Sequence, residues 1–114
     1  MTSSQWRWLA LFTWMGLIFW VSGTPANEIP TFGLVDFVVK KGGHALAYAI
    51  LAVLARRATG NVWQAVVITV LYAISDETHQ LFVAGRNGQP LDVLIDTVGG
   101  LVGLWGYRRW EKRG

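Results

Sequence analysis

A chain of 114 residues that is 53% hydrophobic, 15% charged and rich in tryptophan is too apolar for an ordinary soluble domain and has room for one domain only. The net charge of +3 and sequence pI near 9.7 do not point to nucleic acid, because the basic residues flank apolar runs and build no polar, groove-reading face. With no cysteine there is no disulfide, thiolate nucleophile or Cys-ligated metal, and the redox compartment stays open.

The first apolar segment, Trp6 to Gly23, has Arg7 as its only charge and stops at Thr24-Pro25. It predicts a membrane helix with aromatic residues at its ends. A cleaved signal peptide is the competing reading, since Ser22 and Gly23 are small; against it, the preceding charge is weak and three more apolar segments follow. Those segments are 34–55, 61–83 and 90–107. Each approaches the roughly 20 residues that cross a bilayer only if its polar end is counted, which puts the polar ends at membrane depth. The intervening "RRATGN" and Gly-rich "AGRNGQP" suit connections between helices. The expected fold is therefore all-α: a polytopic membrane bundle of four transmembrane helices, one domain over residues 1–114, without internal repeats.

Positive charge orients such a bundle. With the N-terminus inside, Arg7, Arg56, Arg57, Arg108, Arg109, Lys112 and Arg113 are cytoplasmic, while Lys40, Lys41 and Arg86 are outside. Both termini are then cytoplasmic. Trp6, Trp8, Trp20, Trp63, Trp105, Tyr107 and Trp110 fall near segment ends and read as interfacial anchors.

This orientation gathers the polar residues on the outer side. His44 opens the second helix there, the stretch Asp76, Glu77, His79 and Gln80 closes the third, Arg86 lies in the outer loop, and Asp92 and Asp96 open the fourth. Residues three or four apart share a helix face, so Asp76, His79 and Gln80 align with Glu77 at their shoulder, Asp92 aligns with Asp96, and His44 stands one turn from Tyr48. Ionisable groups at membrane depth cost about 2.5–3.5 kcal/mol each on insertion scales, so a cluster of them reads as a functional site. Blander readings exist for several members: a solvated helix end for Asp76 and Glu77, a local hydrogen bond for His79, and interfacial cations for Arg86, Lys40 and Lys41. Asp96, a turn into an apolar helix, is hardest to explain that way. The run Gly99, Gly100 and Gly103 predicts close helix packing.

Carboxylates beside a histidine can supply a general acid and base, and Arg86 can hold an oxyanion such as phosphate that carboxylates alone would repel. At headgroup depth this points to a lipid-linked substrate. The same set could ligate a divalent metal, although no tight motif such as His-Glu-x-x-His is present and no other cofactor is evident. Neither a Gly-x-Ser-x-Gly elbow nor a P-loop occurs, and Ser75 is the one outer-side serine near the cluster.

Over Lys41 to Gly103 the sequence resembles the VanZ-like family of small bacterial membrane proteins. The marks are Lys41-x-x-His44 with the following "ALAY", then Asp76-Glu77-x-His79-Gln80, Gly85-Arg86, Asp92-Val93 and the Gly-rich fourth helix. Two positions depart from the family pattern: Asp96, where asparagine is commoner, and Ala84, where proline is. The resemblance implies a four-helix bundle of the cytoplasmic membrane, low-level teicoplanin resistance for the founding members, and kinship with enzymes acting on lipid headgroups or lipid-linked phosphates. On that reading His44, Asp76, Glu77, Gln80 and Asp92 carry catalysis, Lys41, His79, Arg86 and Asp96 bind substrate, and the partner is a membrane lipid or lipid-linked cell-wall precursor. Two other classes compete: a non-catalytic protein that binds a lipoglycopeptide or precursor, and a proton or ion relay. A relay needs polar residues through the bilayer depth, and "AYAILAVLA", "QAVVITVLYA" and "GGLVGLWG" offer almost none.

Overall fold

The structure, a computed structural model, describes residues 2–22, 34–80 and 90–113, with the side chains at 22, 34–41, 80, 90–92 and 113 outside the description. It contains α1 (Ser3–Ser22), α2 (Leu34–Thr59), α3 (Val62–Gln80) and α4 (Pro90–Arg113), and no strand among the described residues. The fold is all-helical, as expected.

Helix limits differ from the sequence reading by three residues or more in α1, α2 and α4, each for a local reason. α1 starts at Ser3 and not at Trp6, because Thr2 and Gln5 form a reciprocal capping box: Gln5 N donates to Thr2 Oγ1 at 3.1 Å and Thr2 N donates to Gln5 Oε1 at 2.8 Å. α2 continues past residue 55 through Arg56 and Arg57 to Thr59, so most of "RRATGN" is helix. α4 likewise passes residue 107 and runs to Arg113. Loss of hydropathy marks the end of an apolar segment, but arginine, lysine and alanine are good helix formers and nothing in these stretches breaks the chain. The turn itself is just Gly60 and Asn61. Gly60 has φ of +71° and donates from its amide to Arg56 O at 2.9 Å, closing α2 in a left-handed conformation. Asn61 then caps α3, its Oδ1 accepting from the amides of Trp63 at 2.8 Å and Gln64 at 3.1 Å. A Cβ on Gly60 would meet nothing within 4 Å, so only backbone strain opposes a side chain there. Gly60→Ala is expected to lower unfolding stability by about 1 kcal/mol, measured by denaturant unfolding, with the helix content of the folded state unchanged.

α2 is the central helix and packs against the other three; α3 also packs on α4, while α1 touches α2 and, at few points, α3. α2 and α4 run parallel. Gly99 faces Ala45 and Gly103 faces Ala49, so that an added Cβ would lie 2.4 Å and 2.6 Å from the respective alanine carbonyl oxygens. Two small residues a turn apart on each helix thus let the two backbones touch, as the glycine run predicted. α1 is tied across the bundle by Trp14, whose Nε1 donates to Ala47 O at 2.9 Å, and by Tyr72, whose hydroxyl donates to Met15 O.

The interior is built largely from small residues, with Ala52, Ala55, Ala65 and Ala73 fully buried beside Leu11, Ile18, Leu51 and Leu104. The exterior carries the bulky apolar side chains: Phe12, Trp20, Leu46, Trp63, Leu71, Leu94, Val102 and Trp105 are all exposed. Apolar residues are spread almost evenly around each helix, and none has a polar face opposite an apolar one. Among the described residues no helix is long and apolar enough to cross a membrane.

Candidate functional site

The α2–α4 contact sets the site. Ala45 follows His44 directly, and Gly99 lies one turn after Asp96, so the same contact that joins Ala45 to Gly99 brings the imidazole beside the carboxylate. His44 Nδ1 lies 3.5 Å from Asp96 Oδ1. The third member comes from α3: Asp76 Oδ2 accepts a hydrogen bond from the Tyr48 hydroxyl at 3.0 Å. Tyr48 stands one turn beyond His44 on α2 and is wholly buried. Potential ligand atoms of His44, Asp76 and Asp96 all lie within 4.8 Å of one another. Asp76 and Asp96 keep only 3% and 2% of their surfaces exposed, whereas the His44 side chain keeps 28%, so the imidazole is the member that solvent or a substrate reaches.

Of the residues picked from sequence, this geometry joins His44, Asp76 and Asp96. Glu77 is half-buried next to Asp76. His79, expected on the Asp76 face, lies against α1, its ring 4.1 Å from that of Phe19 at an interplanar angle of 32°. Three residues along an α-helix leave a lateral offset of about 60°, and in a bundle this narrow that offset is enough to exchange one neighbouring helix for another. Lys41, Gln80 and Asp92 occupy α2, α3 and α4 within one turn of His44, Asp76 and Asp96 respectively, but their side chains lie outside the description, and Arg86 lies outside the described residues. Tyr48, which the sequence placed one turn from His44 without giving it a role, is the further member of the site. Its spacing of four from His44 was the available signal.

An imidazole with two carboxylates can move a proton at a bound group, and one nitrogen with two oxygen donors is also a set that suits a divalent cation. Neither function extends through the molecule. Among the described residues the remaining buried polar side chain is Thr69, and its hydroxyl is turned back onto Ala65 O of its own helix at 2.8 Å. The relay reading finds no buried ionisable residue toward the far end of α2, α3 or α4 among those described.

Fold and site together define a small helical protein with an imidazole–carboxylate cluster buried at one end of a tightly packed bundle. The model of the VanZ/LLP1 family matches residues 7–111, and the chain belongs to that family. No curated protein and no solved structure gives a significant match.

Proposed function

We propose that this VanZ-like chain is an integral membrane protein of the cytoplasmic membrane that acts on a phosphate-bearing lipid or lipid-linked cell-wall precursor at the outer face. The observation that carries the membrane reading is the contrast between buried carboxylates and exposed aromatic rings: Asp76 and Asp96 are 3% and 2% exposed, while Trp20 and Trp63 are 74% and 75% exposed. Water rewards the opposite arrangement, and a hydrocarbon solvent rewards this one. Arg7, Arg56, Arg57, Arg108, Arg109 and Lys112 gather at the end remote from the cluster, and by the positive-inside rule that end is cytoplasmic.

In this reading His44, oriented by Asp96, accepts the proton of an attacking hydroxyl. Asp76, held by Tyr48, and the adjacent Glu77 serve the opposite proton transfer to the leaving group, and Gln80 and Asp92 orient them. Lys41 and Arg86 supply the positive charge that two buried carboxylates cannot offer a phosphate. Low-level teicoplanin resistance would follow if the altered lipid is a cell-wall precursor. Lipid profiling of cells expressing the wild type against His44→Gln is the test. A headgroup or lipid-phosphate species that changes with the wild type and stays unchanged with the variant is expected; identical profiles at equal membrane levels of the two proteins defeat the catalytic reading. In that event, ligand binding without turnover becomes the function to measure.

A second reading is favoured by the 4.8 Å spread of the His44, Asp76 and Asp96 ligand atoms, which a divalent cation could draw together. Removing divalent cations with a chelator then abolishes the lipid change, and restoring magnesium, manganese or zinc recovers it. Activity that survives exhaustive chelation rules this reading out.

A further inference from the structure

At the end of the bundle opposite the carboxylate cluster lies a second polar feature that the proposed chemistry does not use. A cavity of about 370 Å³ opens between the start of α1 and the end of α2, lined by Ser3, Trp6, Arg7, Ala10, Leu54 and Arg57. Arg57 lies thirteen positions beyond His44 on continuous α2, about 20 Å along the helix axis, so the two sites are distinct. The volume falls within the range of small-ligand pockets, roughly 300–1,000 Å³. Its two arginines come from different helices and converge on one space, and its described lining contains no carboxylate. Two other cations at this end have partners in the fold: Arg56 lies 4.0 Å from Glu111, and the Arg109 guanidinium sits 5.2 Å over the Trp105 ring. Arg7 and Arg57 instead border open volume.

We infer that this cavity binds a phosphate group, carried by an anionic phospholipid of the adjoining leaflet. Guanidinium groups bind phosphate oxygens in pairs of parallel hydrogen bonds, and basic pockets between helices on the cytoplasmic side suit anionic headgroups. Ser3 and Trp6 also line the cavity, and a serine hydroxyl and an indole N–H are neutral donors suited to phosphate oxygens. Ser3 opens α1, whose N-terminal dipole places partial positive charge at the same spot. Trp6 is exposed at the rim, where an indole favours the headgroup layer. A zwitterionic lipid brings its own cation to the phosphate and competes less well.

The test uses the full chain in detergent micelles, titrated with phosphatidylglycerol, phosphatidylcholine or inorganic phosphate and read by native mass spectrometry. Phosphatidylglycerol is expected to bind the wild type, and the double substitution R7Q/R57Q is expected to weaken it by about tenfold or more. The double substitution R108Q/K112Q removes the same charge from the same end but away from the cavity, and is expected to change binding by less than about twofold. Ala10→Trp fills the cavity without altering charge and is expected to reproduce the loss, so the outcome does not rest on the arginine variant folding. Displacement of the lipid by millimolar phosphate assigns recognition to the phosphate alone; a lipid complex that resists it assigns a share to the acyl chains. Equal losses in the two charge variants, unchanged binding in R7Q/R57Q, or equal binding of phosphatidylcholine overturns the inference.

Discussion

Gly99→Ala is expected to destabilise the bundle by about 1–3 kcal/mol and to lower function along with it. The new methyl would stand 2.4 Å from the carbonyl oxygen and 2.8 Å from the Cα of Ala45, and backbone atoms of a packed helix cannot swing aside. α2 and α4 must separate, and His44 and Asp96 separate with them because they flank the same contact. Gly103→Ala meets Ala49 in the same way, with a comparable cost. Gly106→Ala is the internal control: its Cβ meets nothing within 4 Å, and alanine replacing glycine in a helix stabilises by about 0.5–1 kcal/mol. Unfolding of the three variants should therefore give two losses and one gain. A loss at Gly106 equal to that at Gly99 would mean that the glycines act through something other than helix approach.

Tyr48→Phe is expected to cost about 1–3 kcal/mol, because it removes the hydroxyl that donates to Asp76 Oδ2 at 3.0 Å within a buried space. Asp76→Ala should cost more, since it leaves that hydroxyl without its acceptor and opens a void as well. Once either partner is gone the other has less to lose, so the double variant should fall short of the sum by about 0.5–3 kcal/mol. If the carboxylate works in proton transfer, Asp76→Ala should also reduce turnover by about 10²–10⁴-fold. Tyr48→Phe should reduce it far less, for it removes only a positioning contact. Strict additivity in stability would show that the Tyr48–Asp76 bond contributes nothing in solution; equal losses of turnover would promote Tyr48 from positioning to chemistry.

How much of this was legible in the residues depends on distance along the chain. Helix existence and a packing role for Gly99 and Gly103 followed from local pattern, because each rests on neighbours a few positions apart, while the common end occupied by His44, Asp76 and Asp96 followed from the alternating direction of successive helices. Helix limits were harder. The capping box at Thr2 and Gln5 was written in the sequence, as was the helix-forming basic tail after Tyr107, but both lie where hydropathy has already faded. Of the proposed site, Lys41, Gln80, Arg86 and Asp92 rest on sequence and resemblance alone.

The sequence by itself determined that apolar segments end in ionisable residues, that those ends fall together if the helices alternate in direction, and that one helix carries glycines at the spacing of a close contact. Tertiary structure alone decided which side chains meet. Helical periodicity specifies angles between residues of one helix, but the rotation of that helix against its neighbours is a separate degree of freedom. Here backbone contact of Gly99 and Gly103 with Ala45 and Ala49 sets the rotation of α2 against α4, and the Tyr48–Asp76 hydrogen bond ties α3 to them. That placement sets Asp96 beside His44, sends His79 to Phe19, and brings Arg7 and Arg57 to the lining of one cavity that no spacing in the chain foretold.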